Sequence, residues 1–113
     1  MSCLFCKVVS KEVPATIVAE NEHALAFRDI RPVAPTHILV VPKKHIASIA
    51  EATDADGPIL GQLILLARDV AKAEKLDESG YRIVMNNGEH AGQSVFHVHV
   101  HILGGRTLSW PPG

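Results

Sequence analysis

The chain has 113 residues, of which 47% are hydrophobic and 4% aromatic, and its formal charge is −1. This length suits a single domain, residues 1–113, with a modest aliphatic core, and the near-neutral charge gives no electrostatic reason to bind nucleic acid or an anionic membrane. No apolar run reaches the roughly 18 residues of a membrane span, and the opening MSCLFCKVV lacks the pattern of a secretory signal. We therefore expect a cytoplasmic protein without nucleic-acid or membrane partners.

Three strands are predicted in the first half of the chain. The segments ATIVAE (15–20) and HALAFRD (23–29) predict a β-hairpin that turns at Asn21-Glu22. A proline-punctuated turn follows at 31–35. The β-branched apolar run THILVVP (36–42) then predicts a buried strand.

One long helix is predicted next. Asp54 and Asp56 are candidate N-cap residues, and Pro58 suits a first turn. Two apolar stripes follow, formed by Ile59, Leu63, Leu66, Val70 and Ala73 and by Leu60, Ile64, Ala67 and Ala71. A helix that is apolar on two sides is expected to contact both its own sheet and a second subunit. Ser79-Gly80 is predicted to end the helical region.

The last third of the chain predicts two more strands. YRIVMN (81–86) and HVHVHIL (97–103) are separated by the loop NGEHAGQS (87–94). Several strands with short connections around one long helix indicate an α+β domain built on an antiparallel sheet.

The final strand holds three of the chain's seven histidines at alternate positions. Alternate residues face the same side of a strand, so His97, His99 and His101 are predicted on one face and the apolar residues between them in a core. One metal ion cannot bind all three, because residues four apart are separated by about 13 Å and two imidazole ligands bridge little more than about 11 Å. Imidazole titrates near neutral pH, so such a row suits phosphoryl or nucleotidyl transfer. A row that is merely packed or solvated is the alternative.

The loop before the histidines favours a phosphate site. Gly88 and Gly92 allow the backbone to approach an anion closely, and Gln93 and Ser94 add amide and hydroxyl donors. Taken alone, the same loop is better interpreted as a flexible hairpin connection; the neighbouring histidine row is what favours a phosphate site.

Cys3 and Cys6 admit several interpretations. The pair could be a redox couple, half of a metal site, or two small apolar residues, and a reducing cytosol opposes a structural disulfide. The spacing is usual for two thiolates on one zinc ion, but a tetrahedral site needs two more ligands that the spacing does not identify.

Three segments resemble the histidine triad family of nucleotide hydrolases and transferases. They are CLFCKVVSKEVPATIVAENEHALAFRDIRPVAPTHILVVPKKHI, YRIVMNNG and GQSVFHVHVHILGGRTLSWPPG, which together span nearly the whole chain. The WPPG ending resembles the purine nucleoside phosphoramidase branch. The resemblance implies a homodimer in which each protomer has a five-stranded antiparallel sheet, one long helix and a short helix.

The resemblance also implies a reaction and its residues. His99 would attack the α-phosphorus of a purine nucleoside phosphoramidate or acyl nucleotide, and water would hydrolyse the nucleotidyl-histidine to release the monophosphate. His101 would contact the phosphate, and the catalytic group also includes His97, Ser94, Gln93, Asn86 and a buried partner, His37. The implied substrate-binding residues are Asp29 for the ribose, Phe5, Val8, Phe27 and Ile30 for the base, and Trp110, which would reach the neighbouring subunit's active site.

Some histidine triad proteins bind structural zinc through a Cys-x-x-Cys pair. By position, the resemblance implies that Cys3, Cys6, His45 and His97 hold one zinc ion per protomer, with no organic cofactor. Two other functions remain open from the residues: a dinucleoside polyphosphate hydrolase using the same triad, and a nucleotide-binding regulator without significant turnover. The WPPG ending favours phosphoramidates over polyphosphates.

Overall fold

The structure, a computed structural model, describes residues 3–113. It has two helices, α1 (Leu4–Val9) and α2 (Gly57–Ala73), and five strands, β1 (Ile17–Glu20), β2 (Ala24–Arg28), β3 (Thr36–Pro42), β4 (Tyr81–Val84) and β5 (Val100–Gly104). The strands form one sheet in the order β1-β2-β3-β5-β4, and every neighbouring pair is antiparallel. The predicted α+β class and five-stranded antiparallel sheet with one long and one short helix are confirmed.

The two faces of the sheet carry different layers. The main core lies between the sheet and α2 and contains Ala24, Ala26, Ile38, Val40, Val100, Ile102, Leu63, Leu66, Ala67 and Val70. The opposite face carries a smaller cluster in which Leu25, Phe27, Leu39 and Val41 pack against Phe5 and Val8 of α1. Since side chains alternate along a strand, His101 of β5 lies on the face covered by α1, and His97 and His99, just before β5, contact Phe5 on the same face.

The start of α2 is capped differently from the prediction. Asp56 occupies the N-cap position of α2, but its side chain makes no cap bond to that helix. Instead its carboxylate accepts hydrogen bonds from Thr53 N at 2.9 Å and from Lys44 Nζ at 2.7 Å. The carboxylate thus closes a capping box on the single 3-10 turn Asp54–Asp56, which leads directly into α2. Pro58 lies in the first turn of α2, as predicted.

Several predicted strand ends differ by one or two residues from the observed ones, and two predicted boundaries were wrong by three residues or more. The helix ends at Ala73 rather than near Ser79, because Lys75 adopts a left-handed φ of 61°. The histidine strand begins at Val100 rather than at His97. Continuing the β3–β5 register beyond the Val40–Val100 pair would place Val41 opposite His99 and Pro42 opposite Val98, and proline has no N–H to continue the ladder.

The outer side of α2 is only partly covered. Ile64 and Leu65 are 46% and 42% exposed, whereas Leu63, Ala67 and Val70 on the inner side are buried. Ala73, predicted in the buried stripe, is exposed at the end of the helix. Within residues 3–113, no helix has the length and apolar character needed to cross a membrane.

Candidate active site and metal centre

A cleft of about 400 Å³ opens on the α1 face of the sheet. Its volume is within the usual range of small-molecule sites. Eight of the residues predicted to form the site line it: Phe5, Val8, Phe27, Asp29, Ile30, Ser94, His99 and His101. Residues separated by up to 96 positions in the sequence are therefore brought to one cavity.

Strand register builds part of the cleft wall. Phe27 of β2 pairs with Leu39 of β3, and Leu39 pairs with His101 of β5, so the three side chains form one row across the sheet. Phe5 of α1 covers this row in an edge-to-face contact with Phe27, with 5.6 Å between the two ring centres. One end of the cleft is consequently apolar and the other carries imidazole.

The ring of His99 has a defined tautomer. Its Nδ1 lies 2.7 Å from the carbonyl oxygen of His97. A carbonyl oxygen only accepts hydrogen bonds, so Nδ1 carries the hydrogen and the neutral ring presents the lone pair of Nε2. The ring is 7% exposed and borders both the cleft and the edge of Phe5, 5.0 Å away between ring centres.

A hydrogen-bonded chain sets the tautomer of His101. Val33 N–H donates to Nδ1 of His37 at 3.1 Å, so the neutral His37 ring must carry its hydrogen on Nε2. That atom lies 2.9 Å from Nδ1 of His101 and therefore donates to it. His101 then retains its own hydrogen on Nε2, as a donor at the cleft.

Burial keeps both rings of this chain neutral. It lowers the pKa of His37, with the carboxylate of Asp29 acting in the opposite direction. Burial, together with the nearby His99 and His37, lowers the pKa of His101 to about 4. At neutral pH the pair therefore acts through hydrogen bonds rather than as cations.

Asp29 lies between the apolar end of the cleft and the histidines. Its Oδ1 accepts a hydrogen bond from the backbone N–H of Arg31 at 2.7 Å, and its Oδ2 lies 3.4 Å from Nε2 of His37. Each carboxylate oxygen keeps a further lone pair, so the side chain can still accept from a ligand hydroxyl.

A second cluster lies behind the cleft and contains Cys3, Cys6, His45 and His97, whose ligand atoms all fall within 4.8 Å of one another. Nδ1 of His97 is 3.4 Å from Cys3 Sγ and 3.5 Å from Cys6 Sγ. Nδ1 of His45 is 3.3 Å from Cys6 Sγ and 3.2 Å from His97 Nδ1. Tetrahedral zinc, with bonds of about 2.3 Å to sulfur and 2.0–2.1 Å to nitrogen, separates its ligand atoms by about 3.3–3.8 Å. The donor set fits zinc.

The tautomer of His97 also fits a metal. Its Nε2 lies 2.8 Å from the carbonyl oxygen of Pro42 and must carry the hydrogen, which leaves the Nδ1 lone pair facing the thiols. Burial lowers the pKa of His97, which favours the neutral ring that a metal requires.

A second group of potential ligands, Asp29, His37 and His101, is comparably close. Here the backbone opposes a metal. Val33 N–H needs the lone pair of His37 Nδ1, so the hydrogen of the ring sits on Nε2, the atom that would have to bind the ion. This group is therefore a hydrogen-bonded chain, and the Cys/His cluster is the metal centre candidate.

Five of the residues predicted as catalytic or substrate-binding do not line the cleft: His37 and His97, whose contacts are described above, and Gln93, Asn86 and Trp110. The carboxamide nitrogen of Gln93 donates to the carbonyl oxygens of Ala47 and Val95 at 2.8 and 3.2 Å, and its oxygen accepts from Gly88 N at 2.8 Å. Both N–H hydrogens of the Gln93 carboxamide are therefore used in hydrogen bonds within the protein and cannot also donate to a phosphate oxygen. Asn86 is half-buried beyond β4, and Trp110 is 80% exposed; neither lines the cleft.

Sequence reasoning missed the backbone groups and part of the wall. The N–H of Val33 and the carbonyl of Pro42 decide two imidazole tautomers, and no local motif identifies them. Leu39 also lines the cleft. Side chains alternate between the two faces of the sheet along β3, and this alternation was the signal that could have placed Leu39 on the same face as Phe27.

Comparison with known proteins places these features in one family. The model of the HIT domain matches residues 10–108. The chain belongs to the HIT domain family. It is 52% identical over 112 residues to the 14 kDa zinc-binding protein of Zea mays, covering 97% of this chain and 87% of the maize protein.

Solved HIT structures have the same fold. The crystal structure of a HIT family hydrolase from Legionella pneumophila superimposes with a TM-score of 0.97 at 53% identity, over 99% of this chain and 100% of that one. The histidine triad nucleotide-binding protein from Candida albicans gives a TM-score of 0.83 at 34% identity, over 97% and 83% of the two chains.

The protonation of His101 can be tested by its effect on acid stability. Its pKa of about 4 in the folded protein lies below its ordinary value of 6.5, so the unfolded chain takes up the proton first as the pH falls. Stability contributed by neutral His101 is present above about pH 6.5 and is lost progressively towards pH 4. We expect the free energy of unfolding of His101→Gln, measured in urea, to fall less between pH 7 and pH 5 than that of the unmodified protein.

His90→Gln is the matched control, because His90 is exposed and outside the cleft. Nitrogen-15 NMR of the imidazoles should also find His101 neutral, with its hydrogen on Nε2, at pH 6. A His101 ring that is already cationic at that pH would contradict the assignment.

Proposed function

We propose that this HIT protein hydrolyses purine nucleoside 5′-phosphoramidates or acyl nucleotides through a covalent nucleotidyl-histidine on His99. The observation that carries the proposal is the position of His99 in the cleft, with Nδ1–H bonded to a backbone carbonyl and the Nε2 lone pair free to attack. The Legionella relative is described as a hydrolase and the Candida relative as nucleotide-binding, which supports the reaction class.

In the first step, Nε2 of His99 attacks the α-phosphorus and the bond from phosphorus to the amine breaks. The leaving amine takes its proton from water in the open cleft. The positive charge that develops on the imidazole is stabilised through Nδ1–H by the carbonyl oxygen of His97, 2.7 Å away. Nε2–H of His101, whose ring centre is 5.0 Å from that of His99, is placed to donate to a phosphate oxygen.

In the second step, water attacks the same phosphorus and the bond to Nε2 breaks. The nucleoside monophosphate leaves, and His99 returns to its neutral tautomer with the hydrogen on Nδ1. Ser94, exposed at the cleft, supplies a hydroxyl donor near the phosphate.

The nucleoside is assigned to the other end of the cleft. Phe5, Val8 and Phe27 form an apolar wall for the base, and Ile30, 91% exposed, stands at the rim. Asp29 lies between this wall and the histidines, where its free lone pairs suit the two ribose hydroxyls. The same attack on phosphorus would serve dinucleoside polyphosphates, and the WPPG ending is what favours phosphoramidates.

We also propose one zinc ion per chain, held by Cys3, Cys6, His45 and His97. The geometry of the cluster and the zinc-binding maize relative support it. Four protein ligands leave no open position, so the ion would be structural and would fix the tautomer and orientation of His97. Two thiols used in this way suit a reducing, cytoplasmic environment.

A homodimer is the third part of the proposal. Strand β4 is an edge of the sheet, and the outer face of α2 leaves Ile64 and Leu65 partly exposed. Trp110 is remote from its own cleft, with the Arg82 guanidinium 5.9 Å from its ring centre. A tail held at the β4 edge is positioned to reach a second subunit paired there, which is the role expected for Trp110.

Substitution of the nucleophile tests the covalent mechanism. We expect His99→Ala to lower kcat for an adenosine phosphoramidate by about three orders of magnitude or more, because no other lone pair replaces Nε2. Mass spectrometry of the unmodified enzyme quenched during turnover should find a nucleotidyl adduct on His99. His90→Ala, an exposed histidine outside the cleft, is the control and should retain full activity. Near-normal turnover of His99→Ala would rule out the mechanism, and faster turnover of a diadenosine polyphosphate would change the substrate class.

Elemental analysis tests the metal. We expect about one zinc ion per chain in protein expressed with zinc available, and clearly less in Cys6→Ser, which loses one of four ligands. Ser10→Ala, in the same segment but outside the cluster, should bind as much zinc as the unmodified protein. Zinc-free protein from zinc-replete cells would refute the assignment.

Mixed dimers test the position of Trp110. We expect Trp110→Ala to lower kcat/KM by about tenfold, equivalent to about 1.4 kcal/mol of lost contact. A heterodimer of one Trp110→Ala subunit and one His99→Ala subunit contains one site with both native residues if Trp110 acts across the interface. Its activity should then reach about half that of the native dimer. Activity no higher than that of Trp110→Ala alone would contradict a role in the partner's site.

A further inference from the structure

Helix α1 carries two sets of side chains with different partners. Cys3, its N-cap, and Cys6 belong to the metal centre candidate, whereas Phe5 and Val8 line the cleft. The ring of Phe5 makes edge contacts with His97 of the cluster and with His99 of the cleft, at 6.1 and 5.0 Å between ring centres. One short helix therefore links the two sites.

This helix has little else to hold it in place. It contains six residues, well below the length at which a helix is stable alone. Within the described chain, the backbone hydrogen bonds of residues 3–13 run only between residues of that same segment. Burial of Phe5 and Val8 is the main apolar contact of α1 with the sheet. This contact must offset the conformational entropy that is lost when residues 3–13 become ordered.

The other two members of the cluster belong to the body of the domain. His97 is anchored by Nε2 to the carbonyl of Pro42, and the following residue, Val98, donates to the carbonyl of Ile46 at 2.7 Å. His45 lies in the segment joined by that bond. A metal ion shared by the four residues thus ties α1 to the sheet at the base of the cleft.

Direct contacts within the cluster join α1 only weakly to the rest of the domain. The Nδ1 atoms of His45 and His97 lie 3.2 Å apart, but this contact joins two residues of the domain body and does not involve α1. The contacts from the α1 segment are those of the Cys3 and Cys6 sulfurs with His97 and His45, at 3.3–3.5 Å, and a thiol is only a weak hydrogen-bond donor. The cluster therefore holds α1 firmly only when a cation occupies it.

We propose that occupancy of the metal centre controls the affinity of the cleft for nucleotides, by docking α1 and with it the Phe5–Val8 wall of the base pocket. The metal ion itself would not contact the substrate. This inference rests on the proposed nucleotide-binding function. It assigns to Cys3, Cys6 and His45 a positioning role for substrate binding in addition to their role in holding zinc.

Hydrogen exchange measured with and without zinc tests the docking of α1. The intact protein is compared after zinc loading and after removal of zinc by a chelator that is then dialysed away, with no nucleotide present. We expect the amides of Lys7 and Ser10, which bond within α1, to exchange at least about tenfold faster in the zinc-free protein. Amides of β3 should keep their exchange rates. Unchanged exchange in α1, or an equal increase in β3, would overturn the proposal.

Calorimetric titration with adenosine 5′-monophosphate measures the second consequence. If the wall is docked in only about a tenth of zinc-free molecules, the apparent Kd rises about tenfold, and adding zinc back restores it. Cys6→Ser should show the weaker affinity and faster α1 exchange even with zinc present. Ser10→Thr, which lies outside the cluster and keeps the hydroxyl that donates to the carbonyl of Lys7, should show neither. Equal affinity in the loaded and zinc-free proteins would overturn the inference while leaving the proposed function intact. Absence of binding by the loaded protein would instead contradict the proposed function itself.

Discussion

The site depends on the alternation of side chains along residues 97–103. Val98, Val100 and Ile102 are at most 2% exposed and belong to the core beneath α2, so the histidines between them must face the other side of the sheet. Moving this segment by one residue would bury imidazole against α2 and expose the apolar side chains. The hydrophobic core thereby fixes the face of the sheet on which the candidate active site lies. It does so without any contact between the core residues and the cleft.

Once on that face, the three histidines differ because their backbone partners differ. Carbonyl oxygens accept from Nε2 of His97 and from Nδ1 of His99, which directs one free lone pair towards the thiols and the other towards the cleft. The N–H of Val33 donates to Nδ1 of His37, and Nε2–H of His37 donates in turn to Nδ1 of His101. His101 therefore faces the cleft with a hydrogen-bond donor instead of a free lone pair. Three identical side chains thus become a candidate metal ligand, a candidate nucleophile and a hydrogen-bond donor. Their differences arise from hydrogen bonds that do not involve a charged residue.

Local patterns predicted the elements well where a single segment contains all the information. The strand 36–42 was placed with its observed bounds because a β-branched run buried on both faces is unambiguous. The start of β5 was misplaced because it depends on Pro42, a residue of another strand, and the contact between His37 and His101 depends on the register of β3 with β5. The ligands of the cluster lie up to 94 positions apart, so only the resemblance to a known family could group them before the fold was known. Tautomers required the structure, since they depend on backbone atoms brought close by folding.

His97 connects the candidate metal centre to the candidate nucleophile through two different groups. Its imidazole faces Cys3 and Cys6, and its carbonyl oxygen accepts the hydrogen of His99 Nδ1. A ligand that holds the imidazole of His97 restrains the χ angles of the side chain and so the peptide to which it is attached. The same peptide sets the tautomer of the ring two residues later. Zinc bound by His97 would therefore act on His99 through the backbone carbonyl of His97. Through α1, the same ion would act on the Phe5–Val8 wall that is proposed to bind the base. These two routes are separable, because the first alters turnover of bound substrate and the second alters binding.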